Sequence, residues 1–308
     1  MALSTPIVFI IFNRPEHTAR VFAEIARAQP KRLYLIADGS RVDRPDEAAL
    51  CAATRATAER IDWDCEVIKH YSEVNLGAGR RPATGISWVF EREEAAIILE
   101  DDCLPHPAFF HFCEELLAYY LDDERVMMIS GDNFALQWES EKASYHFSKF
   151  PATWGWATWR RAWQHYNFSI EDGFEPLNKQ IIYDFLEDKR YYDLMMSSFE
   201  KVLKHEVATW DYQWSYACFT HGGLTVIPSV NLVSNIGFGL NATHTTKATK
   251  KLANLPIFPI EFPLKSPPAV KTDSGYDEVF YRLIRGRSIR RKVIVMFKRL
   301  LKWESHRK

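Results

Sequence analysis

The stretch "IILEDDCLPHP", residues 97–107, places three consecutive acids at the end of an apolar run and before a turn. The run predicts a buried strand over residues 95–102, and the acids Glu100, Asp101 and Asp102 fall at its carboxyl end. Like charges beside a buried strand cost free energy unless a cation approaches them. We therefore expect this strand end to receive a cation.

The sequence before this stretch alternates between strand-like and helix-like patterns. This alternation predicts a parallel sheet with helices on both faces, an α/β fold of the Rossmann-like kind. Ligands of such sheets bind at the carboxyl ends of the strands. Predicted strands occupy residues 7–12, 32–37, 64–71 and 95–102, and predicted helices occupy residues 16–28, 46–61, 83–93 and 108–122.

The rest of the chain divides by composition. Residues 1–130 form the predicted nucleotide-sugar half, and the aromatic-rich residues 131–250 form the acceptor half of the same domain. Five prolines between Pro256 and Pro268 predict a linker over residues 251–281. Residues 282–308 hold eleven Lys or Arg and one Glu, so this basic tail follows an acidic body.

The overall composition excludes several classes of protein. The formal net charge is −1, without the strongly basic surface typical of nucleic-acid binding. Five cysteines without a CxxC pair favour reduced thiols in the cytosol over a zinc site or a disulfide framework. The apolar run near the N-terminus is too short for a signal peptide or a membrane span, so we expect a buried strand there.

The acidic triplet has two interpretations. Carboxylate oxygens at a strand end suit Mg²⁺ or Mn²⁺, which commonly share their ligand shell with substrate phosphates. Alternatively, Asp102 caps the following helix. A cap needs only one acid, so three together favour the metal and a nucleotide diphosphate.

Two further motifs fall at predicted strand ends or helix starts. "ADGS" contains Asp38, which can accept from a uracil or ribose, although Asp-Gly is also ordinary turn chemistry. "NLGAGRR" offers backbone amides together with Arg80 and Arg81 for phosphates, with a solvated basic turn as the alternative. No Walker A sequence is present.

The order FNRP, ADGS, NxG with arginines and ILEDD resembles that of GT-A fold glycosyltransferases. FNRP and ADGS are similar to family 2 enzymes, and the EDD motif resembles the β-1,2-N-acetylglucosaminyltransferase I family. "PATWGWATWRRAW", "ATWDYQW" and "SNIGFGLNATHT" are looser likenesses to the latter family. The resemblance covers about residues 6–246.

The resemblance implies roles for individual residues. Asp102 would bind the metal, Mn²⁺ or Mg²⁺, with His244 as a further candidate ligand or a plain surface histidine. Asp211 would be the general base, although Tyr212 stands where the family has a second acid. The implied donor ligands are Arg14, Asp38, Arg81, Glu100 and Asp101.

Aromatic residues provide the candidate acceptor surface. Trp154, Trp156 and Trp210 are expected to stack on sugar rings, with core filling as the alternative. Asp211 likewise has an alternative interpretation, as a structural acid buried among aromatic side chains.

Within the basic tail, an apolar helical face opposite a basic face is typical of helices on anionic membranes. A helix packed on the acidic body or on a partner protein is the competing interpretation. We expect a cytoplasmic protein, peripheral on the inner face of the membrane.

Together these features predict a metal-dependent glycosyltransferase. It would move a sugar from a nucleotide donor, expected to be UDP-linked, to a glycan or lipid-linked glycan hydroxyl, with inversion. The alternatives are a nucleotidyltransferase on the same fold and a non-catalytic sugar-binding homologue. A nucleotidyltransferase would be expected to carry a glycine-rich loop with a catalytic Arg or Lys after the first strand, which Asn13-Arg14-Pro15 does not resemble.

Overall fold

A computed structural model describes residues 2–139, 142–171, 173–238 and 252–285 of the chain. An eight-stranded sheet runs through both predicted halves of the domain. Its strands are β1 Ile7–Ile11, β2 Arg32–Ala37, β3 Glu66–Tyr71, β4 Ala95–Glu100, β6 Val126–Ser130, β7 Tyr145–Ser148, β8 Trp156–Trp159 and β9 Leu224–Pro228. Their order in the sheet is β3-β2-β1-β4-β8-β6-β9-β7. The short strands β5 Cys103–Pro105 and β10 Val233–Asn235 form a separate antiparallel pair.

The sheet is mostly parallel, as the sequence predicts. Strands β1 to β4 pair in parallel, β8 runs antiparallel to both β4 and β6, and β9 returns parallel to β6. The carboxyl ends of β1, β2, β3, β4, β6 and β9 therefore share one edge. The helices are α1 Pro15–Ala28, α2 Glu47–Ala58, α3 Gly77–Phe90, α4 Ala108–Tyr119, α5 Arg160–Trp163, α6 Pro176–Leu186, α7 Lys189–Leu203, α8 Asp211–Thr220 and α9 Ser274–Ile284.

The sheet separates two hydrophobic cores because alternate side chains of a strand point to opposite faces. In β1, Val8 and Ile10 enter the core that also contains side chains of α3, α7 and α8. Ile7, Phe9 and Ile11 enter the opposite core, which contains side chains of α1 and α4. Burial on both faces explains why this strand is apolar at every position.

The proline-rich segment differs from the linker that its composition predicts. Phe258 and Leu264 pack against the core on the α1 side of the sheet. The backbone N–H of Phe258 donates to the Asn231 carbonyl at 2.9 Å, and Ser144 N–H donates to the Lys265 carbonyl at 2.8 Å. Apolar residues between the prolines supply burial that a linker lacks, so this segment is part of the domain.

Helix α9 continues that segment and closes the core on the α8 side of the sheet. Tyr276, Phe280 and Tyr281 are buried, and Asp277 accepts a 2.6 Å hydrogen bond from the Ser148 hydroxyl. Only the first residues of the predicted basic tail belong to α9. The amphipathic helix predicted beyond residue 285 lies outside the described residues.

Candidate functional site

The neighbouring strands β1 and β4 bring Arg14 to the acidic triplet. Their register pairs Ile10 with Glu100, so the residues that follow each strand meet at the carboxyl edge. Arg14 Nη1 lies 2.6 Å from Asp102 Oδ2 and 3.5 Å from Asp101 Oδ1. The backbone N–H of Phe12 also donates to Asp101 Oδ2 at 3.3 Å. The cation that the triplet receives from the chain itself is thus a guanidinium.

One arginine leaves this cluster rich in negative charge. Burial raises the pKa values of Glu100 and Asp101, and the nearby charge of Asp102 raises both further. Asp211 lies close enough for its charge to raise the pKa of Glu100 as well. Arg14 opposes the rise for Asp101. Carboxylates whose pKa values rise in this way gain from an additional cation.

The residues around Asp102 fit a divalent cation whose remaining ligands would come from the substrate and water. Within the described ranges, no group of three or more His, Cys, Asp or Glu side chains is arranged to hold a metal. Mg²⁺-type sites, however, often use one or two carboxylates and take their other ligands from phosphates and water. Asp102 offers such an oxygen, and Gly237 approaches it so closely that a Cβ there would lie 2.1 Å from Asp102 Oδ2. His244, the other predicted metal ligand, lies outside the described residues.

The Asp38 carboxylate is hydrogen-bonded to backbone amides and does not face an open cleft. Its Oδ1 accepts from Gly39 N–H at 3.0 Å and Leu76 N–H at 2.9 Å, and its Oδ2 accepts from Gly77 N–H at 2.8 Å. These amides belong to its own turn and to the start of α3, so Asp38 ties β2 to α3. Its contact with a nucleotide base stays a prediction.

Arg81 is also tied into the fold. It is buried, its Nε donates to the Ala37 carbonyl at 3.0 Å, and its Nη2 donates to the His70 carbonyl. Burial lowers the pKa of Arg81. Arg81 therefore joins the ends of β2 and β3, whereas its neighbour Arg80 is exposed and lies over the Phe168 ring.

Asp211 opens helix α8 and is half-buried beside the triplet. Its Oδ1 accepts from the Tyr212 N–H at 2.9 Å and from the Thr209 hydroxyl. Both bonds use one oxygen, and no hydrogen bond to Oδ2 is formed by the residues that the structure describes. This geometry leaves a carboxylate oxygen available to a substrate hydroxyl.

The three predicted acceptor tryptophans separate into two environments. Trp156 and Trp210 are 1% and 5% exposed, and their rings stack on each other at 5.5 Å. They fill the core, which corrects the expectation that they present faces to a sugar. Trp154 is half-buried, between Phe134 and Phe238, and keeps part of its surface accessible.

Asp132 belongs to the same edge, although sequence patterns did not single it out. It follows β6, is 1% exposed, and its Oδ2 accepts from the Trp154 N–H at 2.9 Å. Its Oδ1 has no hydrogen-bond partner among the described residues, and burial raises the pKa of Asp132 well above its usual range. An acid shortly after an apolar run, with Ser130 and Gly131 between them, was the available signal. It is similar to the signal in the triplet.

Comparisons with known proteins leave the family open. No family model matches the chain, and no curated protein matches it. Among solved structures, a UDP-glucose pyrophosphorylase complexed with UDP-glucose is similar at 10% identity and a TM-score of 0.25, over 47% of this chain and 62% of that one. A UTP-bound UGPase from Acinetobacter baumannii is similar at 7% identity and a TM-score of 0.28, over 52% and 77%. The chain thus spans less than two thirds of the first enzyme, and similarity at this level carries no argument about function.

None of the described helices has the length and apolar character required to cross a membrane.

Proposed function

We propose that the protein binds a nucleotide-diphosphate sugar at the carboxyl edge of the sheet and transfers the sugar to an acceptor hydroxyl. The observation that carries this proposal is the grouping of the triplet, Arg14 and Asp211 at adjoining element ends. Excess carboxylate charge suits a divalent cation, which in turn suits a diphosphate. A further carboxylate close to that charge, Asp211, suits proton removal from an acceptor.

The chemistry would divide among the residues as follows. Mn²⁺ or Mg²⁺, when bound, would offset the negative charge that develops on the leaving diphosphate. Asp102 would hold this ion together with the donor phosphates. Arg14, beside Asp102, would donate hydrogen bonds to phosphate oxygens, and charge-assisted bonds of this kind are among the stronger ones.

Asp211 would act on the acceptor. The acceptor oxygen forms a bond to the anomeric carbon, the bond from that carbon to the diphosphate oxygen breaks, and the hydroxyl proton passes to Asp211. A direct displacement of this kind inverts the anomeric centre. Asp38 and Arg81 would support the site by fixing the ends of β2 and β3 and the start of α3.

A nucleotidyltransferase is the second candidate. It would use the same edge of a sheet with this strand order, because ligands of such sheets lie at the carboxyl ends of the strands. The segment after β1, Phe12-Asn13-Arg14 followed by Pro15 of α1, contains no glycine, whereas a glycine-rich phosphate loop would be expected for that class. This segment favours sugar transfer.

A donor panel tests both functions. Thermal unfolding with UDP-sugars, with and without Mn²⁺, should show a higher melting temperature only when both are present, since ligands that bind only the folded state stabilise it. Release of UDP from one of these sugars is then expected. Cleavage of the UDP-sugar by added pyrophosphate to UTP and the sugar 1-phosphate, without UDP release, would establish the nucleotidyltransferase instead. Stabilisation with neither reaction would indicate a binding protein.

A further inference from the structure

A cavity of about 480 Å³ lies beside the candidate base and has no role in the scheme above. One wall is the first turn of α3, including Gly77, Gly79 and Arg80, which follows the carboxyl end of β3. The facing wall comes from residues 168–171 and 202–209. Its size is within the roughly 300–1,000 Å³ typical of small-molecule sites, and α3 places it towards the same edge as the triplet.

The cavity is joined to Asp211 by hydrogen bonds. Thr209 lines it, and the Thr209 hydroxyl donates to Asp211 Oδ1. Gln213, two residues further along α8, also lines it, and its Nε2 donates to the Thr209 carbonyl at 2.9 Å. A molecule in the cavity would therefore be separated from the candidate base by a single residue.

Gln213, a residue of the cavity lining, carries one buried polar atom without a partner in the described part of the chain. Gln213 is 3% exposed, and its Oε1 has no hydrogen-bond partner among the residues that the structure describes. A buried acceptor without a partner destabilises the folded state. Phe168, Ile170 and Val207 supply apolar surface around it. A fitting ligand therefore combines an apolar face with a hydroxyl that donates to Gln213.

The charges at the rim point to an uncharged ligand. Arg80 is exposed on one side, and Glu171 faces His205 at 3.9 Å on the other. These opposite charges favour neither an anion nor a cation, and the polar lining residues Ser169, Thr209 and Gln213 carry no charge. A neutral pyranose ring meets these requirements, because it has an apolar C–H face and hydroxyls around its edge.

We propose that this cavity binds a neutral sugar ring of the acceptor, adjacent to the ring whose hydroxyl reaches Asp211. The inference rests on the proposed glycosyl transfer and narrows it to acceptors with at least two sugar rings. A monosaccharide fills only one of the two positions and binds less tightly than a disaccharide of the same sugar.

Calorimetric titration of the full chain in saturating UDP and Mn²⁺ tests this assignment. The probes are cellobiose, maltose, lactose and N,N′-diacetylchitobiose with their monosaccharides. At least one disaccharide should bind more tightly than its monosaccharide. Gln213→Leu should weaken that binding by roughly tenfold, the loss expected for about one hydrogen bond. Phe168→Ala is a second variant, on a half-buried residue. Gln180→Leu, which removes an exposed amide bonded to Asp184, is the matched control.

The outcomes separate this inference from the function on which it rests. If no saccharide binds, or if both cavity variants bind as the unaltered chain does, the cavity is not an acceptor site, although UDP binding can still support the transferase. If the cavity variants lose UDP together with the saccharide, the cavity belongs to the donor and the inference is overturned. If saccharide binding depends on the cavity residues but the protein binds no UDP-sugar, the cavity is a saccharide site and the transferase proposal is rejected. Melting temperatures verify that each variant is folded.

Discussion

Arg14 Nη1 lies 2.6 Å from Asp102 Oδ2, so the oxygen that we propose as a metal ligand is paired with a guanidinium. This contact offsets part of the charge of the triplet while no other cation is present. In the proposed site, a divalent ion bound to Asp102 would require Arg14 to share or leave that oxygen, and donor phosphates would be the natural partners for the released guanidinium. Metal and donor binding should consequently be coupled through Arg14.

Replacing Arg14 by Met tests this coupling. Loss of the competing positive charge should raise the affinity for Mn²⁺ alone, because no guanidinium then repels the ion or competes with it for Asp102 Oδ2. Affinity for a UDP-sugar in the presence of Mn²⁺ should fall. Free Mn²⁺ is measured by electron paramagnetic resonance, and donor affinity by calorimetry. Equal Mn²⁺ affinity in both proteins would mean that Arg14 and the ion occupy separate sites.

Replacing Asp102 by Asn should have the opposite effect on the ion. The substitution preserves size but removes the charge of the proposed ligand, so Mn²⁺-dependent donor binding should be abolished in a folded protein. Chelation by EDTA should reproduce this loss in the unaltered chain. Asp193→Asn is the matched control, since Asp193 is an exposed acid paired with Lys189 on α7. Retention of Mn²⁺-dependent UDP-sugar affinity in Asp102→Asn would remove Asp102 from the metal site.

The sequence predicted the sheet well because strand burial leaves a strong pattern. Strand β1 is apolar at every position and β4 nearly so, and both ends carry the polar motifs that meet at the edge. The roles of Asp38 and Arg81 were harder to predict. Both have residue types suited to ligands, but their partners are backbone groups brought close only by the packing of β2, β3 and α3.

The aromatic residues also show that a residue type alone does not reveal which partners a side chain meets in the fold. A tryptophan that stacks on a sugar and one that fills a core have identical sequence signals, and only the position of α8 against β8 buries Trp156 and Trp210. In the proline-rich segment, composition indicated a linker because prolines and polar residues dominate the average. The few apolar side chains that anchor it, among them Phe258, are decided by contacts distant in sequence.

Helix α9 provides a stability test of that correction. Phe280 is 4% exposed and stacks against Phe150 at 5.1 Å and Phe134 at 5.6 Å. Phe280→Ala should lower the free energy of unfolding by about 3–5 kcal/mol, as is usual for buried aromatic residues. Leu177→Ala, at an exposed position, should change it little. Urea unfolding measures both variants. A negligible loss of unfolding free energy in Phe280→Ala would support the predicted linker instead.

His146 should make the stability of the fold sensitive to acid. It is buried against Tyr276, its Nε2 has no partner among the described residues, and burial lowers the pKa of His146 to about 4 while Asp273 opposes the shift. The unfolded chain takes up a proton near pH 6.5 and the folded chain does not, so stability falls as the pH drops from about 6.5 towards 4.

The matched variant is His146→Leu. Between about pH 7.5 and about pH 5, the unaltered chain should lose roughly 2 kcal/mol more unfolding free energy than this variant. His111→Leu, at an exposed site, should follow the unaltered chain. Parallel pH profiles for the unaltered chain and His146→Leu would show that His146 titrates normally in the folded state.

Asp211→Asn separates chemistry from binding most directly. Asn keeps the size of the side chain and an oxygen to accept from Tyr212 N–H and the Thr209 hydroxyl, but it cannot take the acceptor proton. Sugar transfer should fall by roughly 10²- to 10⁴-fold, the usual worth of a general base, while donor affinity and melting temperature stay close to those of the unaltered chain. A structural Asp211 predicts a different pattern, in which the melting temperature falls and activity is lost only as the protein unfolds. Asp184→Asn, on the surface of α6, controls for the loss of one negative charge. If a stable Asp211→Asn protein transfers sugar at a near-normal rate, Asp211 is not the base, and the half-buried acid at the start of α8 serves the fold alone.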